Sequence, residues 1–186
     1  MPQFAPLLLG ALAFSLAATQ STPVDSGQSA PPDKQPDVVY VPTPEPVVSV
    51  MLRMANPKRG EVLYDLGSGD GRIPIKAARR YGIHAVGIEI DPELVEQARA
   101  NAVEAGVDDR VAFRQQDLFA VDLSEADIVT LYLLPELNLK LRSKLIEQLK
   151  PGARIVSHAF DMGQWEPHDA KRVRGRVVYL WTIPEP

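Results

Sequence analysis

From residue 60 onward, short apolar runs alternate with segments whose apolar residues recur every three to four positions. Residues 62–65, 85–89, 111–115, 128–133 and 154–158 read as strands. The fourth run is nearly all apolar, as a strand buried on both faces should be. Between them lie helical patterns: residues 71–81 with Gly82 just past the end, and a helix capped by Asp91-Pro92 that ends at Gly106. A third covers 135–149, where Leu137, Leu141, Leu145 and Leu149 form one stripe. Ahead of the first strand, Thr43-Pro44-Glu45-Pro46 reads as an N-cap followed by proline at the first helical position. That helix runs to about Ala55, buries Val47, Val48, Met51 and Leu52, and breaks at Asn56-Pro57. The tail 173–182 reads as one or two strands around Gly175. Strand–helix alternation predicts a doubly wound, mostly parallel α/β sheet with helices on both faces. Ligands bind such sheets beyond the carboxyl ends of the strands. Only about a dozen residues separate the fifth strand from the tail, too few for a substantial crossover helix, so a minimal core is expected.

The length of 186 residues suits one domain with a short appendage. Residues 5–18 are an uncharged apolar run, shorter than the roughly 20 residues that span a bilayer. The run suits a signal peptide, with Ser15 and Ala17 as small residues before a cut, or a weak membrane anchor. Residues 19–46 hold seven of the seventeen prolines, which predicts a disordered tether. The expected division is a signal-like segment at 1–18, a Pro-rich linker at 19–37 and the folded domain at 38–186. A net charge of −4 argues against nucleic acid or an anionic surface as main partner. The cluster Lys171, Arg172, Arg174, Arg176 departs locally from that balance and reads as a solvated strand face. Cysteine is absent, and His84, His158 and His168 have no metal-ligand spacing, so no metal is expected.

The chemistry concentrates at the end of the first strand, where Gly67, Gly69 and Gly71 alternate before a helix. Glycine lets the backbone turn tightly and approach a ligand, and the helix N-terminus directs N–H groups at it. A dinucleotide fingerprint would place its last glycine at position 72, which is Arg72. Asp65 and Asp70 flank the turn; two acids repel a pyrophosphate and attract a cationic amino-acid moiety. Glu89 ends the second strand, at a spacing that suits a carboxylate accepting from ribose hydroxyls. A ribose without phosphate, joined to a group bearing an ammonium, describes S-adenosylmethionine. The stretches VLYDLGSGDGR, GIEIDP and QQDLF resemble motif I, the ribose acid and the adenine-side acid of class I methyltransferases, which are Rossmann-like. By that resemblance Asp65 and the backbone of Gly67, Ser68, Gly69 and Gly71 face the methionine end of the cofactor. Glu89 then faces the ribose and Asp117 the adenine amine.

The methyl acceptor should sit at the ends of the fourth and fifth strands, in 131–136 and 156–165. Enzymes that methylate nucleobase amino groups typically carry Asn/Asp-Pro-Pro-Tyr there, whereas Leu133-Leu134-Pro135-Glu136 lacks the polar residue. A lysine fits better: Tyr132, Phe160 and Trp165 could wall a channel by cation–π contact, worth roughly 0.5–2 kcal/mol. Glu136 or Asp161 could hold the incoming ammonium, and His158 is a further candidate base. YVPTPEPVV, GIEIDPELVEQAR, TLYLLPELN and VSHAFDM together resemble bacterial relatives of the mitochondrial lysine methyltransferases of the ATP synthase c-ring protein and the adenine nucleotide translocase. That likeness covers 40–183 and implies protein lysine methylation. A monomer is expected, and a membrane-associated acceptor would give the apolar N-terminus a purpose. Two other functions stay open: transfer to a small-molecule amine or hydroxyl, and a non-catalytic module that only binds the cofactor. The signal-like N-terminus suggests export or anchoring, while dependence on S-adenosylmethionine favours a domain facing the cytoplasm.

Overall fold

The computed structural model describes residues 40–185; the signal-like segment and the linker at 1–18 and 19–37 lie outside the described residues. The chain enters through α1 (Glu45–Ala55), followed by β1 (Val62–Leu66), α2 (Arg72–Tyr81) and β2 (His84–Glu89). Next come α3 (Pro92–Glu104), β3 (Val111–Gln115), β4 (Ile128–Leu131), α4 (Pro135–Gln148) and β5 (Arg154–His158). The hairpin β6 (Asp169–Val173) and β7 (Arg176–Thr182) closes the domain. The sheet order is β3-β2-β1-β4-β5-β7-β6. β1 to β5 are parallel, and β7 joins β5 antiparallel with β6 outside it at the edge. The expected doubly wound α/β sheet is therefore present, and the chain reverses its direction of winding between β1 and β4. A crevice opens at that reversal, beyond the carboxyl ends of the strands.

Each sheet face buries its own core. Val47, Met51, Ile73, Ala77, Val95 and Ala98 from α1, α2 and α3 pack on Leu63, Ala85, Val156 and Val178. On the other face Leu141 and Leu145 of α4, with Leu123, pack on Leu66, Ile88, Leu131, Ile155 and Trp181. The glycines past the helix ends adopt positive φ, 67° at Gly82 and 65° at Gly106, as their positions demand. The Asp91 side chain caps α3 by accepting from Glu93 N at 2.9 Å.

Three boundaries differ from the sequence expectation. Thr43 does not cap α1: Pro44 occupies the N-cap, and the buried Thr43 hydroxyl reaches the His158 ring, Oγ1 to Nδ1 at 3.2 Å. β4 ends at Leu131, so Tyr132, Leu133 and Leu134 leave the sheet and turn into α4. β6 begins at Asp169, within a stretch whose first four residues are exposed and which carries no apolar alternation. Among the described residues no helix is long and apolar enough to cross a membrane.

Candidate functional site

A cleft enclosing about 1010 Å³, part of it open to solvent, lies over the ends of β1, β2 and β4. Its lining brings together Asp65, Gly67, Ser68, Glu89, Asp117 and Tyr132. Gly69 and Gly71 belong to the same turn but lie outside that lining, Gly69 under the Tyr40 ring. Gly71 caps α2 in a left-handed conformation, and a Cβ added there would overlap the Phe113 ring. The turn is held from within: Gly67 N and Ser68 N donate to Ile88 O at 2.8 and 3.0 Å, and Gly71 N donates to Ser68 O at 3.0 Å.

Asp65 is buried between Gly87 and Thr130 of the neighbouring strands and accepts from Thr130 Oγ1 at 2.6 Å. Burial pushes its carboxyl up to about 7; the Thr130 bond opposes this, and the negative Glu89 and Asp70 add to it. The Ser68 hydroxyl is buried with no hydrogen-bond partner among the described residues. A buried carboxylate short of a countercharge beside an orphaned hydroxyl is what a ligand bearing an ammonium would satisfy. Glu89 clamps the base of the cleft. Its Oε2 accepts from Gly69 N at 2.9 Å, and its Oε1 accepts from Ile90 N at 2.8 Å and Asp91 N at 3.1 Å. Asp117 accepts from Phe119 N at 3.0 Å. Gln116, Leu118, Leu94 and Ile88 join it in a mostly apolar wall suited to a flat base.

Residues 40–43 form a strap over the turn, which sequence reasoning did not find. The Tyr40 ring lies so close above Gly69 that a Cβ there would overlap it. Arg72 ties the strap down: Nη2 donates to Asp70 Oδ2 at 2.6 Å and Nη1 to Thr43 O at 3.0 Å. Burial raises the Asp70 carboxyl, but the guanidinium outweighs it and holds the group below the usual range. Thr130 was also missed, although a lone hydroxyl inside the apolar run Ile-Val-Thr-Leu was a usable signal.

At the acceptor edge the Tyr132 ring lies 3.9 Å from His158, and 6.4 Å from Phe160 with the planes 13° apart. The Tyr132 hydroxyl accepts from Arg176 Nη1 at 3.2 Å. Burial and then the Arg176 charge push His158 down to about 4, so its ring is neutral at physiological pH. After His158, Ala159 takes φ 70°, and Phe160 N donates back to His158 O at 3.0 Å in a tight γ-turn. Ser157 Oγ fastens this turn to Phe160 O at 2.6 Å, and the buried Asn138 Nδ2 to Phe160 O and Asp161 O, both at 3.3 Å. Tyr132 lines the cleft, whereas His158, Phe160, Glu136, Asp161 and Trp165 lie outside its lining. Glu136, in the first turn of α4, and Asp161 are exposed. Trp165 packs on Trp181 with ring centroids 6.0 Å apart, and its carbonyl accepts from Trp181 Nε1 at 2.7 Å.

Residues 65–169 match the family model described as the ANTKMT methyltransferase domain. The chain is 44% identical over 155 residues to a protein-lysine N-methyltransferase of Saccharolobus islandicus, covering 81% of this chain and 96% of that one. It is 37% identical to the adenine nucleotide translocase lysine N-methyltransferase of Mus musculus over 70% of this chain, spanning 56% of the mouse protein. A crystal structure described as an RNA methyltransferase from Salinibacter ruber, with S-adenosyl-L-homocysteine bound, superposes with a TM-score of 0.77 at 62% identity. That match covers 78% of this chain and 95% of the other.

Proposed function

This chain belongs to the family of ANTKMT methyltransferase domains, and on that premise we propose that it methylates the side-chain amine of a lysine in a partner protein. It is an S-adenosylmethionine-dependent methyltransferase. In our reading Asp65 holds the ammonium of the cofactor's methionine end, where Ser68 and the backbone of Gly67, Gly69 and Gly71 also lie. Glu89 takes the ribose hydroxyls and Asp117 the adenine amine. Bound there, S-adenosylmethionine supplies an electrophilic methyl group on a sulfonium.

What carries the lysine reading is the aromatic pair of Tyr132, which lines the cleft, and Phe160, stacked behind it. Two ring faces strip water from the aliphatic stem of a lysine and leave its nitrogen pointed inward. The amine must be neutral to act as a nucleophile, and a dry edge beside the Arg176 cation favours the neutral form. Tyr132 is the positioning residue in this account. Glu136 and Asp161, exposed outside the lining, would meet the lysine before it enters, and Trp165 would steady β7 through Trp181. The lysine substrates named for the Saccharolobus and mouse proteins support the same reading.

The name of the Salinibacter protein favours RNA as a second reading. Against it stand the net charge of −4 and the apolar Leu133-Leu134-Pro135, with no polar group to hold an exocyclic base amine. Incubating the protein with cell lysate and methyl-labelled S-adenosylmethionine decides between them. Label is expected in protein, as methyl-lysine by mass spectrometry. Label confined to RNA or to small molecules would sink the lysine reading, and S-adenosylhomocysteine binding with no transfer to any fraction would mark a module that only binds. Tyr132→Ala is expected to lower kcat at least tenfold, about 1.4 kcal/mol of barrier, while S-adenosylhomocysteine affinity measured by calorimetry changes less than about threefold.

A further inference from the structure

We propose that the β6–β7 hairpin is the docking surface for an acidic, extended segment that flanks the acceptor lysine. The inference rests on the lysine reading above and adds what the acceptor must look like.

The hairpin tip stands at the mouth of the cleft. β7 pairs with β5 so that Val178 faces His158, which places Arg176 just beyond the end of β5. From there the Arg176 guanidinium reaches the Tyr132 hydroxyl at 3.2 Å, and Tyr132 lines the cleft. Arg174 and Gly175 make the turn, with φ of 47° and 78°. Two successive left-handed residues give a tight two-residue hairpin, so the tip is a fixed projection.

The surface carries one sign of charge. Arg172, Arg174 and Arg176 are exposed, and Lys171 and Arg172 share a groove with Arg53 of α1. The one acid of the hairpin, Asp169, lies at the far end, 3.6 Å from Lys171. Among the described residues, Arg53, Arg172, Arg174 and Arg176 have no ion-pair partner. Five cations on one edge stand out in a chain whose net charge is −4.

Cations at the mouth of a lysine site pose a physical problem. Two like charges 4 Å apart repel by about 4 kcal/mol at the effective dielectric of a protein surface. A lysine approaching alone along the hairpin would be repelled, and Glu136 and Asp161 on the α4 side offset that only in part. One carried on a segment with Asp or Glu beside it would be drawn in, because the acids meet the arginines while the amine passes on to Tyr132. The same repulsion then favours loss of the ammonium proton at the site. β6 also offers its outer edge, since among the described residues its only strand partner is β7. An extended segment can pair with such an edge through its main chain.

The test uses three synthetic peptides with a single lysine flanked by Asp and Glu, by Ser and Gly, or by Arg, with labelled S-adenosylmethionine. The acidic peptide is expected to show kcat/KM at least tenfold above the neutral one, mainly through KM, with the advantage shrinking as salt is raised. The double variant R172E/R174E is expected to reverse the order of acidic and basic peptides and leave S-adenosylhomocysteine affinity within about twofold. Equal use of all three peptides by the wild-type protein overturns the docking proposal and leaves the lysine reading standing. So does a charge-reversed variant that aggregates with its peptide order unchanged, because the cations then only guard an edge strand. No labelled peptide, with label in lysate RNA instead, overturns the lysine reading and takes this proposal with it.

Discussion

Glu89→Ala is expected to weaken S-adenosylhomocysteine binding about 100-fold or more, because under the proposed assignment two ribose hydroxyls lose a charged acceptor worth roughly 1.5–3 kcal/mol per bond. The structure adds a second loss. The same carboxylate gathers the amides of Gly69, Ile90 and Asp91, so its removal cuts the Gly69 tie to β2 and leaves the turn held there by Gly67 N and Ser68 N on Ile88 O. Partly exposed amides can turn to water, and the destabilisation should stay near 1–3 kcal/mol, a fall of several degrees in melting temperature. Glu89→Gln separates the two effects. Its carbonyl can still accept from some of these amides, so stability should largely return while affinity stays low. Calorimetric titration and thermal melts of both variants check this. Wild-type affinity in Glu89→Ala would show that the ribose is held elsewhere.

The second expected result is that S-adenosylmethionine affinity rises with pH through about 7 and that Asp65→Asn flattens the rise. The Asp65 carboxyl, ordinarily near 3.8, is pushed up to about 7 by burial, and a cationic ligand wants it ionised. Below pH 7 each binding event must expel a proton, and affinity should fall by up to about tenfold per pH unit. The same shift acts on folding with the opposite sign. A carboxyl whose folded pKa is raised favours the folded state below its unfolded pKa, and that contribution is lost as pH rises from about 4 through 7. The ligand-free protein should therefore lose melting temperature over that window relative to Asp65→Asn, and bound ligand should restore it. Calorimetry at steps between pH 5 and 7.5 stays below the range where an α-amino group itself titrates, about 7.7–8.0. An affinity independent of pH in the wild-type protein would remove Asp65 from the ammonium site.

Much of this was legible in the chain because its signals are local. Apolar runs punctuated by glycine located β1, β2, β3 and β5 to within a residue or two, and the alternation of Gly67, Gly69 and Gly71 marked the turn. What escaped depends on distance along the chain. Thr43 reads as a cap from its neighbours, yet its hydroxyl finds His158, 115 residues away, and is buried there. The strap over Gly69 is a contact between Tyr40 and a backbone, and no residue pattern announces it. The start of β6 was not located, although Lys171 and Arg172 read as a solvated strand face, because Asp-Ala-Lys-Arg-Val has no inward face to give a period of two. Trp165 illustrates the remaining ambiguity. In sequence it stands close to the acceptor strands, but the turn after Met162 sets its ring on Trp181.

The backbone at Ala159 has a wider consequence. A left-handed residue other than glycine costs about 1–3 kcal/mol, and here it is retained under the grip of Ser157 and Asn138. Glycine at 159 would lift most of that cost but would also let the chain swing, so Phe160 could wander from Tyr132. Heat tolerance and a firm acceptor edge thus make opposite demands on one methyl group. That one atom is where ruggedness and turnover would be traded against each other.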